Sequence, residues 1–169
     1  MSMDSIISGI PVVPEQDYRR DVHRAGFDEA MAAAGVHAAS VVAATYCTFS
    51  NRAEVYGNIR EPSLTVITGA GVFSSAGKRT MLGKRLKFNS IDFAQCRSFH
   101  DGDYVSTTVD GQPDNRLGHF YIEFNGAGNV MLGRLQWFWT GARFKDKRQE
   151  IMAVAAERDR VLAVVRQFL

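Results

Sequence analysis

The sequence predicts an α+β protein, mainly antiparallel β. Six to seven strands form a partly open barrel or sandwich capped by a long C-terminal amphipathic helix, with an extra helix at the N-terminus. Three observations predict it. Short runs rich in β-branched and aromatic residues recur between Val41 and Trp139, separated by Gly- and Asn-bearing turns. Apolar residues switch to three-and-four spacing from Ile151 to the chain end. A helical pattern precedes the first strand, from Pro14 to Ala34.

Residues 1–13 read as a loose leader. Pro14 suits a first-turn position, and Glu15 and Asp17 supply the acidic first turn that a helix dipole favours. Tyr18, Val22, Ala25, Phe27 (off-phase), Ala30, Met31 and Ala34 give a partly apolar stripe, Gly26 leaves two short helices as an alternative to one, and Gly35 is the expected stop. The expected division is 1–39 as leader and helical extension, and 40–169 as the β domain with its C-terminal helix.

Val41 to Phe49 reads as the first strand, and Leu64 to Thr68 as the second, with continuation to Phe73 open. Arg85 to Asn89 alternates, with Leu86 and Phe88 inward, and Ile91 and Phe93 extend the alternation after a phase change at Ser90. Tyr104 to Val109 is a further strand, ended by the turn pair Asp110-Gly111. Phe120–Phe124 and Val130–Trp139 flank Asn125-Gly-Ala-Gly-Asn129, the plainest hairpin in the chain. Asp146 and Gln149 make a capping pair for the last helix, whose stripe is Ile151, Val154, Ala155, Val161, Leu162, Val165, Phe168 and Leu169. Arg158 interrupts that face, and its stem can lie along apolar surface.

Composition bounds the rest. The 169 residues are 46% hydrophobic and 22% charged, enough for a core without disulfide staples. The net charge of +2 disfavours nucleic acid and confines any anion site to a local patch. Cys47 and Cys96 have no metal-ligand spacing and read as buried free thiols. No signal peptide and no run long enough for a membrane-spanning helix is visible, which predicts a cytoplasmic protein, with peripheral membrane contact left open.

Residues 68–85, TGAGVFSSAGKRTMLGKR, look like a phosphate loop and fail the test. Gly71 precedes Gly77-Lys78 by five intervening residues rather than four, and Arg79 stands where the magnesium-binding hydroxyl belongs. The dinucleotide fingerprint fails as well, with Ser74 in place of its third glycine. What remains is a strand connection bearing Lys78, Arg79, Lys84, Arg85 and Lys87 with no acid among them. It reads either as a solvated hairpin tip or as an anion-binding site for lipid headgroups, phosphate or an acidic partner.

The four histidines, His23, His37, His100 and His119, show no helical metal pair. His100-Asp-Gly-Asp103 is placed in an inter-strand loop, and Cys96 with His100 lacks a group to orient the base. The sequence therefore predicts no catalytic set, metal or cofactor. Alternation puts Trp137 and Trp139 on one face, beneath the last helix, and Phe138 on the other.

Leu64-Thr-Val-Ile-Thr68, the basic connection, Leu86-Lys-Phe-Asn-Ser-Ile-Asp-Phe93 and Ala94-Gln-Cys-Arg-Ser-Phe99, followed by one terminal helix, resemble a pleckstrin-homology-like domain of the bacterial PH-like or GRAM-like kind. Cys96 departs from the usual aliphatic residue, and the N-terminal helix lies outside the common core. The resemblance covers about residues 40–169. It implies two bent sheets with a helix over one open end, and a basic early hairpin that takes anionic headgroups, at Lys78, Arg79 and Lys84 here.

The function expected is a non-catalytic binding or scaffolding module. It would engage an acidic protein, an anionic headgroup or its own copies through the basic hairpin. The alternative is a small cone-shaped α+β enzyme or ligand carrier with an apolar pocket bearing His119, Asp103 or Tyr121.

Overall fold

A computed structural model describes residues 2–11, 27–29, 31–50, 62–74, 89–107, 113–139 and 146–169. The chain is α+β: one seven-stranded antiparallel sheet that is not closed, a short N-terminal helix and a long C-terminal one. The strands are β1 (Val41–Ser50), β2 (Ser63–Thr68), β3 (Gly71–Ser74), β4 (Asn89–Asp92), β5 (Ser98–Thr107), β6 (Pro113–Asn125) and β7 (Met131–Trp139). Their order across the sheet is β4-β3-β2-β1-β7-β6-β5. The helices whose bounds are described are α1 (Met3–Ser8) and α2 (Lys147–Val165), and residues 27–29 and 31–33 are helical as well.

Strand β1 joins two meanders. Its first part, Val41 to Cys47, pairs with β2, and its last part, Thr48 to Ser50, pairs with Gln136 to Arg134 of β7. The sheet bends there, so both meanders face one core. Cys47 and Phe49 of β1, Ile67 of β2, Val72 of β3, Ile91 of β4, Ile122 and Phe124 of β6, and Leu135 and Trp137 of β7 bury their side chains together. Val154, Val161, Leu162 and Val165 of α2 enter the same cluster. The C-terminal helix thus fills the curve of the sheet, packing on β7, β6 and β1.

The two meanders also touch face to face. A side-chain carbon at Gly133 would come within 2.9 Å of Ile91 Cδ1 and 2.8 Å of Phe49 Cζ. Glycine is needed at 133 because Ile91 crosses from the far meander onto the β7 backbone.

The opposite face of β1 and β2 carries Ala44, Tyr46, Leu64 and Val66, which pack with Met3, Ile10, Phe27, Met31 and Val36. Over residues 2–11 this corrects the expectation of a loose leader. Ser2 caps α1 by accepting from Ser5 N at 3.3 Å, and burial of Met3 and Ile10 anchors the segment to the sheet. The stop at Gly35 holds: its φ is +70°, and Val36 N donates back to Met31 O at 2.9 Å. The expected helix start at Pro14 lies outside the described residues.

Other boundaries shift for local reasons. The second strand does not run on to Phe73. It ends at Thr68, whose Oγ1 accepts from Ala70 N, and the chain reverses into β3. Strand β4 stops at Asp92, where Ala94 N donates to Asp92 Oδ1 and turns the chain before Gln95. Strand β5 starts at Ser98, six residues earlier than expected, because cross-strand pairing with β6 holds the polar stretch His100–Asp103 in register. The expected Asp110-Gly111 turn and the Arg85–Phe88 alternation lie outside the described residues. In the β6–β7 hairpin, Gly128 (φ 67°) and Asn129 (φ 58°) take the left-handed conformations their residue types tolerate. Asp146 caps α2 by accepting from Arg148 N at 2.9 Å. The helix ends at Val165, and Phe168 stacks on Phe93 with ring centroids 6.3 Å apart.

Candidate functional site

Chain direction sorts the connections. Strands β1, β3 and β6 run the same way across the antiparallel sheet, so their C-terminal ends, at Ser50, Ser74 and Asn125, lie at one rim. Strands β3 and β4 are paired up to Ser74 and Asn89, and residues 75–88 connect them. The five cations Lys78, Arg79, Lys84, Arg85 and Lys87 all fall in that connection and lie outside the described residues.

The outer face of β5, β6 and β7 holds a polar and aromatic patch. Cross-strand pairs place His100, Tyr104, His119, Tyr121, Glu123, Arg134, Gln136 and Phe138 there. Arg134 donates twice to one oxygen of Glu123: its Nε reaches Oε2 at 2.8 Å and a second nitrogen bonds the same atom, while its guanidinium lies over the Tyr121 ring, 4.4 Å from the centre. Burial pushes the Glu123 carboxyl up, but the Arg134 guanidinium outweighs it and holds the group below the usual carboxylate range. His119 is almost fully buried between Tyr104 and Phe138. Burial, reinforced by the Arg134 charge, lowers its pKa to about 4. The Gln136 amide nitrogen, 3.2 Å from His119 Nε2, donates to the unprotonated nitrogen of that neutral ring.

Of the three residues offered for an apolar pocket, His119 and Tyr121 pack together with ring centroids 6.0 Å apart, and Asp103 lies apart from them. His119 and Tyr121 lie on the outer face, while Asp103 pairs with Phe120 and belongs to the inner one. His100-Asp-Gly-Asp103 is likewise split by strand alternation. His100 Nε2 faces Glu123 at 3.6 Å, whereas Asp101 turns to Arg158 of α2 at 3.3 Å. Among the described residues no cluster of three metal-ligating side chains occurs. Cys96 is buried and donates to the Ser98 carbonyl at 3.3 Å, and Cys47 is buried in the main core, so both thiols are free and enclosed.

Inside the curve lies a buried polar chain that the sequence reading missed. Trp137 Nε1 donates to Thr45 Oγ1 at 3.0 Å, and Thr45 Oγ1 donates to Glu157 Oε1 at 2.8 Å. Arg160 closes the chain, donating to both Glu157 oxygens and to the Ala44 carbonyl. The signal was present in spacing. Glu150, Val154, Glu157 and Val161 recur at four-three-four intervals, so two carboxylates sit on the buried stripe of α2. Arg158 leaves that stripe at its edge, stacks 5.2 Å from the Phe120 ring centre, and donates to the Gly102 carbonyl of the edge strand β5.

At the end of the sheet opposite the Ser50–Ser74 rim, an open cleft of about 570 Å³ lies between β5, β7 and the first turns of α2. Among the described residues it is lined by Val105, Trp139, Ile151 and Met152, with Lys147 and Arg148 beside them. Trp139 is where alternation put it, on the inner face with Trp137; its ring packs over Gly118 and 4.8 Å from Phe120.

Among the described residues no helix is long and apolar enough to cross a membrane. Comparison of the chain with known protein families, with curated proteins and with solved structures finds no match to any of the three.

Proposed function

We propose that this chain is a non-catalytic binding module on a pleckstrin-homology-like frame, and that it engages an anionic surface through the basic connection between β3 and β4. One observation carries the reading. The two strands are paired to their ends at Ser74 and Asn89, and the sequence that joins those ends carries five cations without an acid among them. Such a local concentration of like charge on a chain of net +2 attracts an anionic partner by proximity rather than by overall charge. The strand order supports the family reading: two meanders joined through β1 and β7, then one helix in their curve. The polar groups of the inner face are tied to each other in pairs and chains, as scaffold side chains are.

Vesicle flotation tests the proposal. Vesicles with an anionic lipid fraction should carry the protein, and neutral vesicles should not. Replacing Lys78, Arg79, Lys84 and Arg85 with Gln should abolish the difference, and rising salt should weaken it. Flotation that is unchanged by the four substitutions rejects the lipid form of the reading. Retention on an immobilised acidic peptide that the same substitutions remove would assign the partner to protein instead.

A further inference from the structure

The cleft at the opposite end of the sheet is independent of the basic connection and points to a ligand of its own. Among the described residues its lining is apolar apart from two cations. Trp139 forms the floor and is 4% exposed, while Met152 stands at the lip and is 63% exposed. An exposed methionine beside a tryptophan is an adaptable apolar surface that water covers poorly. The volume of about 570 Å³ falls in the range that holds small ligands, ~300–1,000 Å³, with room for one acyl chain.

Among the described lining residues the charge is one-sided. Lys147 and Arg148 occupy the first turn of α2, the end at which the helix dipole also favours an anion. Among the described residues, the two acids that flank these cations in sequence are not part of the lining. Asp146 is engaged as the helix cap with Arg148 N, and Glu150 is fully buried rather than part of the lining.

We propose that this cleft binds a single-chain carboxylate amphiphile, with its tail laid between Trp139 and Met152 and its carboxylate held at Lys147 and Arg148. The apolar lining rejects a small hydrophilic anion, and the paired cations reject a cationic amphiphile. The ligand is therefore a fatty acid or a compound of that shape.

Titration with octanoate, decanoate and dodecanoate, each below its micelle-forming concentration, tests the proposal on the whole chain. Trp139 emission reports occupancy, with calorimetry for affinity. Saturable binding is expected, tightening roughly fourfold per added methylene. Dodecyltrimethylammonium should bind at least tenfold more weakly than dodecanoate. In the double variant Lys147→Glu/Arg148→Glu that preference should invert. Acids suit a first helical turn, so the variant keeps its fold. Met152→Asp, at an exposed position, should weaken dodecanoate at least tenfold. Equal affinity for the two head groups, no dependence on chain length, or full affinity in Met152→Asp would each overturn the proposal.

Discussion

Thr45 and Glu157 are 112 residues apart in sequence and share a 2.8 Å hydrogen bond in the core, with Thr45 0% and Glu157 2% exposed. Thr45 sits at the centre of this contact as both donor and acceptor, because Trp137 Nε1 gives its proton to the same hydroxyl. The bond fixes where α2 lies on β1 and β7, since apolar contacts alone would allow the helix to slide.

Thr45→Val keeps the side-chain shape, strands the indole N–H, and leaves Arg160 as the donor to Glu157 Oε1. It should destabilise the fold by about 1–3 kcal/mol, read as a lower urea midpoint with unchanged slope. Combined with Glu157→Gln in a double-mutant cycle, the two losses should fall short of additive. Additive losses would mean that the pair is uncoupled.

Gly133→Ala should destabilise, although alanine normally improves on glycine in a strand. The new carbon would meet Phe49 Cζ at 2.8 Å and Ile91 Cδ1 at 2.9 Å, and overpacking of this kind costs about 1–3 kcal/mol. Ile91→Val removes Cδ1 and should recover part of the loss in the double variant. A neutral or stabilising Gly133→Ala would show that the two meanders do not press together there.

His119 gives the fold an acid-sensitive component. Its pKa is lowered from 6.5 to about 4 on folding, so between those values the unfolded chain binds the extra proton. The stability linked to this group is complete above 6.5, is lost as pH falls toward 4, and changes little below that. Its size is at most about 3 kcal/mol. Urea unfolding across this window should show the loss, and His119→Phe, which cannot titrate, should flatten it.

Cys47 should resist labelling. Burial drives its thiol up to about 12, and the Glu157 charge adds to the rise against an opposing hydrogen bond with Thr65. Burial raises the Cys96 thiol as well. In native buffer a thiol reagent should modify Cys47 only as fast as the core opens, and in denaturant at once. Mass spectrometry of timed digests reads the two sites separately. Rapid native labelling of Cys47 would contradict the enclosed core.

Much of this architecture could be read before any coordinates. Runs of β-branched and aromatic residues in Val41–Phe49, Phe120–Phe124 and Val130–Trp139 placed the strands, and alternation put Trp137 and Trp139 on the inner face. Gly35 and Asp146 marked helix ends through their own backbone and side-chain chemistry. These are local properties, fixed by residue type and spacing within one turn or one strand.

What the sequence determined by itself was periodicity: antiparallel strands, a terminal helix, and five cations collected between β3 and β4. Tertiary structure alone decided which distant groups meet. It brought Thr45 to Glu157, Ile91 onto Gly133, Asp101 to Arg158, and it opened a cleft between Trp139 and Met152. It also put Asp103 on the face away from His119. Spacing along a chain sets which way each side chain points from its own element, but the bend at β1 and the seat of α2 arise from burying several apolar faces together, and no single segment encodes that sum.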